Sequence, residues 1–312
     1  MTIIAYRIHE FGGPDVIAPE RIAKPVAGEG EVLVQVKAAG VGPWDGWIRS
    51  GHSALPQPLP LTLGSDLSGV VTAVGPGVTD FVVGEAVYGV TNSRFTGAYA
   101  EYAVARATMI SGKPETLSDI EAASVPVIAV TAWQALFEQA RVGERTTVLI
   151  HGAAGNVGAY AVQFAKQAGA RVIATAGAAD LEIVHGLGAD IAVDYRTGRF
   201  EDVARDVDVV IDLVGGDTQA RSFAVLKRGG TLVSAVSQPD RTLAERHGVK
   251  ALFFLAEVTT MHLTRIAEMI DAGELAVNVE TVLPLAQARV AHEMLEGTRP
   301  DPRGKIVLEV GV

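Results

Sequence analysis

The residues best placed to do chemistry lie in the run Val148-Leu149-Ile150-His151-Gly152-Ala153-Ala154-Gly155-Asn156-Val157-Gly158. It follows an apolar strand-like segment and opens a helical one, the context in which a glycine pattern points to a dinucleotide. Gly152 permits a tight exit from the strand, Gly155 lets the backbone approach a pyrophosphate, and Gly158 lets helix and strand pack closely. Ala154, Asn156 and Val157 stand at the helix start, where free N–H groups and a positive dipole end suit phosphate oxygens. The spacing is G-x-x-G-x-x-G rather than the commoner G-x-G-x-x-G. A tight turn with no ligand would use the same glycines. The strand before and the helix after favour the cofactor.

The next strand chooses between cofactors. NAD calls for Asp or Glu about 20 residues beyond the glycine loop, bonded to the ribose 2′-hydroxyl. Here the strand ends Ala174-Thr175-Ala176-Gly177, and Asp180 comes only in the following helical turn. The missing acid leaves room for a 2′-phosphate and favours NADPH. Backbone at Ala176 and Gly177, the Tyr195 hydroxyl and Arg196 are the candidates to hold that phosphate.

Other chemistries find no support. Gly51-His52-Ser53-Ala54-Leu55 fails the last position of a nucleophile elbow. Neither His9-Glu10 nor His292-Glu293 has a second histidine at zinc-protease spacing, and no tyrosine is followed four residues later by lysine. The chain has no cysteine, which excludes thiolate-held metals, disulfides and a cysteine nucleophile. Of the seven histidines, His52 sits in a proline-flanked loop and His151 ends the strand under the glycine loop. Packing or backbone bonding is the plainer reading of His151.

The elements that must position this loop follow from pattern and composition. With 312 residues, 48% of them hydrophobic and 20% charged, the chain suits two ordinary globular domains. Its formal charge of -10 argues against nucleic-acid or anionic-membrane partners. There is no signal-peptide pattern, and the uncharged stretches 122–137 and 149–165 are shorter than the roughly 20 residues of a membrane span. A cytoplasmic protein is expected. Ten of the 14 prolines lie at or before Pro126, among short strands such as Glu31–Ala38, Gly69–Val74, Glu85–Val90 and Ala98–Val104. None lies between Val127 and Gln238, where six apolar runs alternate with helices that stop at glycine, including Gly229-Gly230. That alternation implies a parallel sheet in the order 3-2-1-4-5-6. The predicted domains are 1–123 (β), 124–265 (cofactor-binding) and 266–312 (a return to the β-domain).

These motifs resemble the zinc-independent, quinone-oxidoreductase-like branch of the medium-chain dehydrogenase/reductase superfamily. The resemblance rests on Arg7-Ile8-His9-Glu10-Phe11-Gly12-Gly13-Pro14, Gly30-Glu31-Val32-Leu33-Val34, Thr131-Ala132-Trp133, the glycine loop, Asp212-Leu213-Val214-Gly215-Gly216 and Gly304-Lys305-Ile306-Val307. Gly64-Ser65-Asp66 stands where zinc relatives carry Gly-His-Glu. The resemblance implies an α/β protein with a GroES-like β-barrel catalytic domain, a six-stranded Rossmann domain, and NADPH in the cleft between. It implies Thr131, Phe253 and Phe254 near the nicotinamide, Val214, Ala235 and Val236 along the cofactor, Lys305 approaching the cofactor from the catalytic domain, and no metal. Relatives often carry Asn where this chain has Gly42 in Gly42-Pro43-Trp44-Asp45, which is expected to leave open space. They also often carry Lys or a polar residue where Ala178-Ala179 stands.

The expected activity is hydride transfer from NADPH to a quinone or an α,β-unsaturated carbonyl, with substrate-pocket candidates Trp44, Asp45, Trp47 and Phe95. Enoyl-thioester reduction is an alternative on the same architecture. An NADPH-binding structural or sensor protein without turnover is another, since fold and cofactor do not prove catalysis. The apolar last strand of the sheet, Lys250–Leu255, would be an edge, and a homodimer joining two such edges is expected.

Overall fold

The computed structural model describes residues 1–300 and 304–311. The chain divides into two units. One comprises Met1–Val127 with the segment from Val258 onward, and the other is Ile128–Glu257. Among the described residues no helix is long and apolar enough to cross a membrane.

The first unit is built on strand Glu31–Val41, whose later residues are almost all buried. Asp66–Val74 and Tyr102–Arg106 pair with it antiparallel. So does the C-terminal strand Ile306–Glu309, with Leu308 opposite Ala39. The return of the chain end to the β-unit is therefore made by backbone hydrogen bonds. A smaller sheet of Ala18–Ala23, Thr2–Ile8 and Leu61–Thr62 lies in the same unit. The core gathers Ile8, Val34, Val36, Leu63, Leu67 and Tyr99, all essentially inaccessible to solvent. Helix Asp119–Ser124 starts at a capping box, in which Ser118 and Glu121 satisfy each other's free N–H groups.

The second unit carries the six-stranded parallel sheet. Its strands are Thr147–His151, Arg171–Ala176, Ile191–Asp194, Val207–Asp212, Leu226–Ser234 and Lys250–Phe253. Their spatial order is third, second, first, fourth, fifth, sixth, as the sequence pattern predicts. The first, second and fourth strands are buried almost throughout, as expected for a sheet covered on both faces.

Two sequence-based expectations change. Gly229-Gly230 does not stop a helix. Helix Gly216–Ser222 ends earlier, and the glycine pair lies inside the strand Leu226–Ser234, where pairing with the fourth strand shifts register. Gly229 has a positive φ of 80°, which glycine adopts without strain and which suits a bulge. The borders at 123/124 and 265/266 also move, to 127/128 and 257/258. Residues 258–265 belong to the first unit, because helix Thr260–Asp271 is bonded there. Tyr88 Oη donates to Leu263 O at 2.6 Å, and Thr260 Oγ1 donates to Ile110 O at 2.7 Å.

Candidate active site

In the second unit a cavity of about 520 Å³ opens at the carboxyl ends of the sheet strands. Gly152, Ala154, Gly155, Ala176, Gly177 and Tyr195 line it, with Val214 on another side. Seven of the predicted cofactor residues thus meet in one place. This is where open α/β sheets bind ligands, around the strands at which the order reverses.

The glycine loop is shaped by close backbone approach. Gly152 has φ +69°, and Gly155 N–H donates back to Gly152 O at 3.0 Å. Gly155 then caps helix Asn156–Gln167, so Asn156 and Val157 form its first turn. A Cβ at Gly158 would lie 2.2 Å from Gly152 O and 2.7 Å from Ala153 Cα, so only glycine lets the helix seat this close to the loop. The helix has no side-chain cap. Its first N–H groups are available to an anion, with the dipole end behind them.

Polar side chains outside the candidate cofactor residues hold this frame. His151 is fully buried. Its Nδ1 meets Thr175 Oγ1 at 3.0 Å and its Nε2 meets Ser222 Oγ at 2.9 Å, tying the first strand to the second and to helix Gly216–Ser222. It bonds side chains rather than backbone. Burial pushes its pKa down to about 4, so the ring is neutral. Asp212 Oδ1 accepts N–H bonds from Val214 and Gly215, while Oδ2 accepts from Gln219 and Ser234. That carboxylate shapes the turn that sends Val214 into the cavity. An acid closing an apolar strand just before Gly215-Gly216 was the available signal. Arg221 closes another wall, forked onto Glu201 by two 2.7 Å bonds and lying over the Phe200 ring.

No acid ends the second strand, but Asp180 reaches the cavity from the turn beyond it. Its Oδ2 lies 3.5 Å from where a Gly177 Cβ would be. Tyr195 is 59% exposed, and the Arg196 guanidinium sits 5.6 Å from its ring centre. Ala235 and half-exposed Val236 follow the fifth strand, and partly buried Phe253 and Phe254 lie at the end of the sixth. Thr131 is buried in helix Pro126–Trp133.

The first unit holds the other candidates. Gly42 opens helix Pro43–Arg49, which carries Trp44, Asp45 and Trp47. The open space expected beside Gly42 is filled by the Trp44 indole: a Cβ at Gly42 would lie 2.3 Å from its Cη2. Trp44 Nε1 donates to Ser65 Oγ at 3.1 Å. Asp45 is fully buried, and its Oδ2 accepts from Gly42 N–H at 2.8 Å and Tyr99 Oη at 3.3 Å. Desolvation, opposed by these bonds and by Lys305, raises its pKa to about 7. Lys305 is also buried, bonded to Asp66 at 3.0 Å with its Nζ 4.4 Å from the Trp44 ring centre. Trp47 is half exposed, and Phe95, at φ 60°, packs on the same core as Trp44.

Comparison with known proteins gives the frame its relatives. Residues 28–115 match the alcohol dehydrogenase GroES-like domain, and 187–308 match the zinc-binding dehydrogenase family. The human quinone oxidoreductase is 31% identical, over 97% of both chains. The chain belongs to the medium-chain dehydrogenase/reductase superfamily, in its quinone oxidoreductase branch. The structure of the quinone oxidoreductase from Coxiella burnetii is 33% identical with a TM-score of 0.92, covering 100% of both chains. A mycobacterial relative solved in complex with NADPH is 31% identical with a TM-score of 0.87, over 98% of this chain and 99% of that one. The protein is thus an oxidoreductase with a GroES-like domain and a Rossmann-like sheet, from a family that binds nicotinamide cofactors.

A zinc ion does not fit the residues at the place zinc relatives use. Ser65 stands for the histidine and already accepts the Trp44 indole, while Asp66 is bonded to Lys305. The sequence has no cysteine, and among the described residues no three His, Cys, Asp or Glu side chains come together. A nicotinamide dinucleotide does fit. The glycine-only approach at Gly158 and the uncapped helix end facing the 520 Å³ cavity form a cradle for its pyrophosphate.

Proposed function

We propose that this oxidoreductase, acting in the cytoplasm, transfers hydride from NADPH to a quinone or an α,β-unsaturated carbonyl without zinc. The observation that carries the reading is the cavity itself, framed by the glycine loop and with no carboxylate at the end of its second strand. Support for the acceptor class comes from the relatives named quinone oxidoreductase, and for the cofactor from the NADPH complex of the mycobacterial one.

The bound nicotinamide supplies the hydride; the chain supplies position and a dry setting. Gly152, Ala154, Gly155, Asn156 and Val157 hold the pyrophosphate on N–H groups. Ala176, Gly177 and the Tyr195 hydroxyl take the ribose 2′-phosphate. Val214, Ala235 and Val236 line the cofactor's path, and Thr131, Phe253 and Phe254 flank the nicotinamide. Lys305 supports the acceptor side through Trp44. Trp44, Trp47 and Phe95 form an aromatic wall for the acceptor, while buried Asp45 fixes the helix that carries both tryptophans. With no metal to polarise a carbonyl, a conjugated acceptor suits the site, because charge spreads away from the atom under attack. The edge strand Lys250–Phe253 is proposed to pair with a second copy, giving a dimer mass in light scattering.

The test is NADPH consumption by chelator-treated protein with 9,10-phenanthrenequinone, trans-2-hexenal and an enoyl thioester. Turnover of either of the first two supports the reading. Turnover of the thioester alone makes the protein an enoyl-thioester reductase. Tight NADPH binding without turnover of any of them makes it a binding protein.

A further inference from the structure

The departures from the family pattern at Gly42 and Ser65 meet at one side chain. An ideal Cβ on Gly42 would stand 2.3, 2.4 and 2.5 Å from Cη2, Cζ2 and Cζ3 of Trp44. A side chain at position 42 would force the indole to shift from this place, so glycine and tryptophan are matched. The indole N–H is used by Ser65 Oγ at 3.1 Å. The Lys305 ammonium lies 4.4 Å from the ring centre, anchored by its 3.0 Å bond to Asp66. Lys305 and Asp66 are at most 1% exposed, so this anchor is part of the unit's interior. The indole is fixed by backbone, a hydrogen bond and a cation, yet the side chain stays half-buried rather than sealed in the core.

We propose that Trp44 sets acceptor specificity: its immobilised indole, beside the serine that replaces the metal-binding histidine of zinc relatives, offers a flat face that selects planar conjugated acceptors. The inference rests on the hydride-transfer reading above and names the feature of the acceptor that the site prefers. A ring held in place before binding loses little side-chain entropy when an acceptor stacks on it. An offset-stacked aromatic pair is worth roughly threefold to tenfold in affinity. A short aliphatic alkenal has no ring to stack and gains only ordinary contact. Serine, glycine and lysine each leave the ring in place for a separate reason, so the three positions act on selectivity through Trp44.

The experiment compares W44L, W44F and G42A with the natural chain. It measures kcat and KM for 9,10-phenanthrenequinone and trans-2-hexenal, with thermal unfolding as a control for folding. In W44L the quinone-to-alkenal ratio of kcat/KM should fall roughly threefold to tenfold, carried by the quinone KM. W44F keeps a flat ring and should hold the ratio within about twofold of the natural chain. G42A, whose methyl group displaces the indole, should follow W44L and stands in for it if W44L does not fold. An unchanged ratio in W44L and G42A, or an equal fall in W44F and W44L, overturns the inference. If the natural chain reduces neither acceptor, the functional reading has failed separately. Equilibrium dialysis of the quinone against natural chain and W44L then decides: weaker binding by W44L supports the role of Trp44, and equal binding overturns it.

Discussion

Replacing Lys305 with methionine isolates the value of the buried ion pair behind Trp44. The ammonium and the Asp66 carboxylate are 3.0 Å apart and 1% and 0% exposed. At that distance, with an effective dielectric constant of about 20, the attraction is roughly 5 kcal/mol, set against the cost of taking both ions out of water. Methionine keeps most of the lysine stem but leaves Asp66 buried without its partner. Removing one member of such a pair costs about 3–5 kcal/mol, a large part of the roughly 5–15 kcal/mol that holds a domain folded. Burial already raises the Asp66 pKa while Lys305 lowers it, so K305M raises it further. The carboxyl can then escape its penalty by staying protonated. The loss should therefore be smaller at pH 5 and grow as the pH rises towards 8. The double variant D66N/K305M removes the orphaned charge and should recover most of the loss. Urea unfolding, followed by tryptophan fluorescence with Trp44 against the pair, measures both. A loss under about 1 kcal/mol at pH 8, or a double variant no more stable than the single one, would show that Lys305 does not offset the buried Asp66 charge. So would a K305M protein of full stability that binds NADPH more than about tenfold weaker, which would make Lys305 a coenzyme contact instead.

Two further outcomes follow from buried or cavity-facing carboxylates. Asp180 shares the cavity with Gly177 and Tyr195, and its charge opposes a 2′-phosphate. D180N should lower the KM for NADPH about fivefold without lowering that for NADH, the effect of about 1 kcal/mol of screened repulsion; a rise in the NADPH value would contradict this placement. Asp45 has its pKa raised from an ordinary 3.8 to about 7. A raised carboxyl favours folding in its protonated form, so its penalty is absent below pH 4, develops as pH rises and is complete above about 7. D45N keeps the acceptor for Gly42 N–H without the charge, so its stability relative to the natural chain should improve across that window by about 2–4 kcal/mol; a pH-independent difference would show that Asp45 does not titrate there.

Much of the frame was legible because it repeats simple rules. The six parallel strands are short apolar runs, and the glycine loop sits between a strand and a helix, so pattern alone orders them. Gly229-Gly230 misled because glycine serves both as a helix stop and inside a bulged strand, and only the partner strand decides which. Helix Thr260–Asp271 has the right periodicity for either unit. Its assignment depends on Tyr88 and Thr260 finding carbonyl partners far away in sequence. The site shows the same division. Seven cofactor candidates converge on the cavity because the sheet topology brings their strand ends together. The Trp44 indole bond to Ser65, the Lys305–Asp66 pair and the His151 bonds to Thr175 and Ser222 depend on side-chain packing between distant segments, which no local pattern encodes.

The fate of the hydride decides whether this chain reduces a conjugated carbonyl with NADPH and without zinc, as proposed. Chelator-treated protein given NADPH deuterated at the transferable C4 position, with trans-2-hexenal as acceptor, tests it most directly by mass spectrometry of the product. The expected product is hexanal carrying one deuterium at the β-carbon, formed at the same rate before and after chelation. Unlabelled product, or turnover that stops with chelation and returns with zinc, would contradict it.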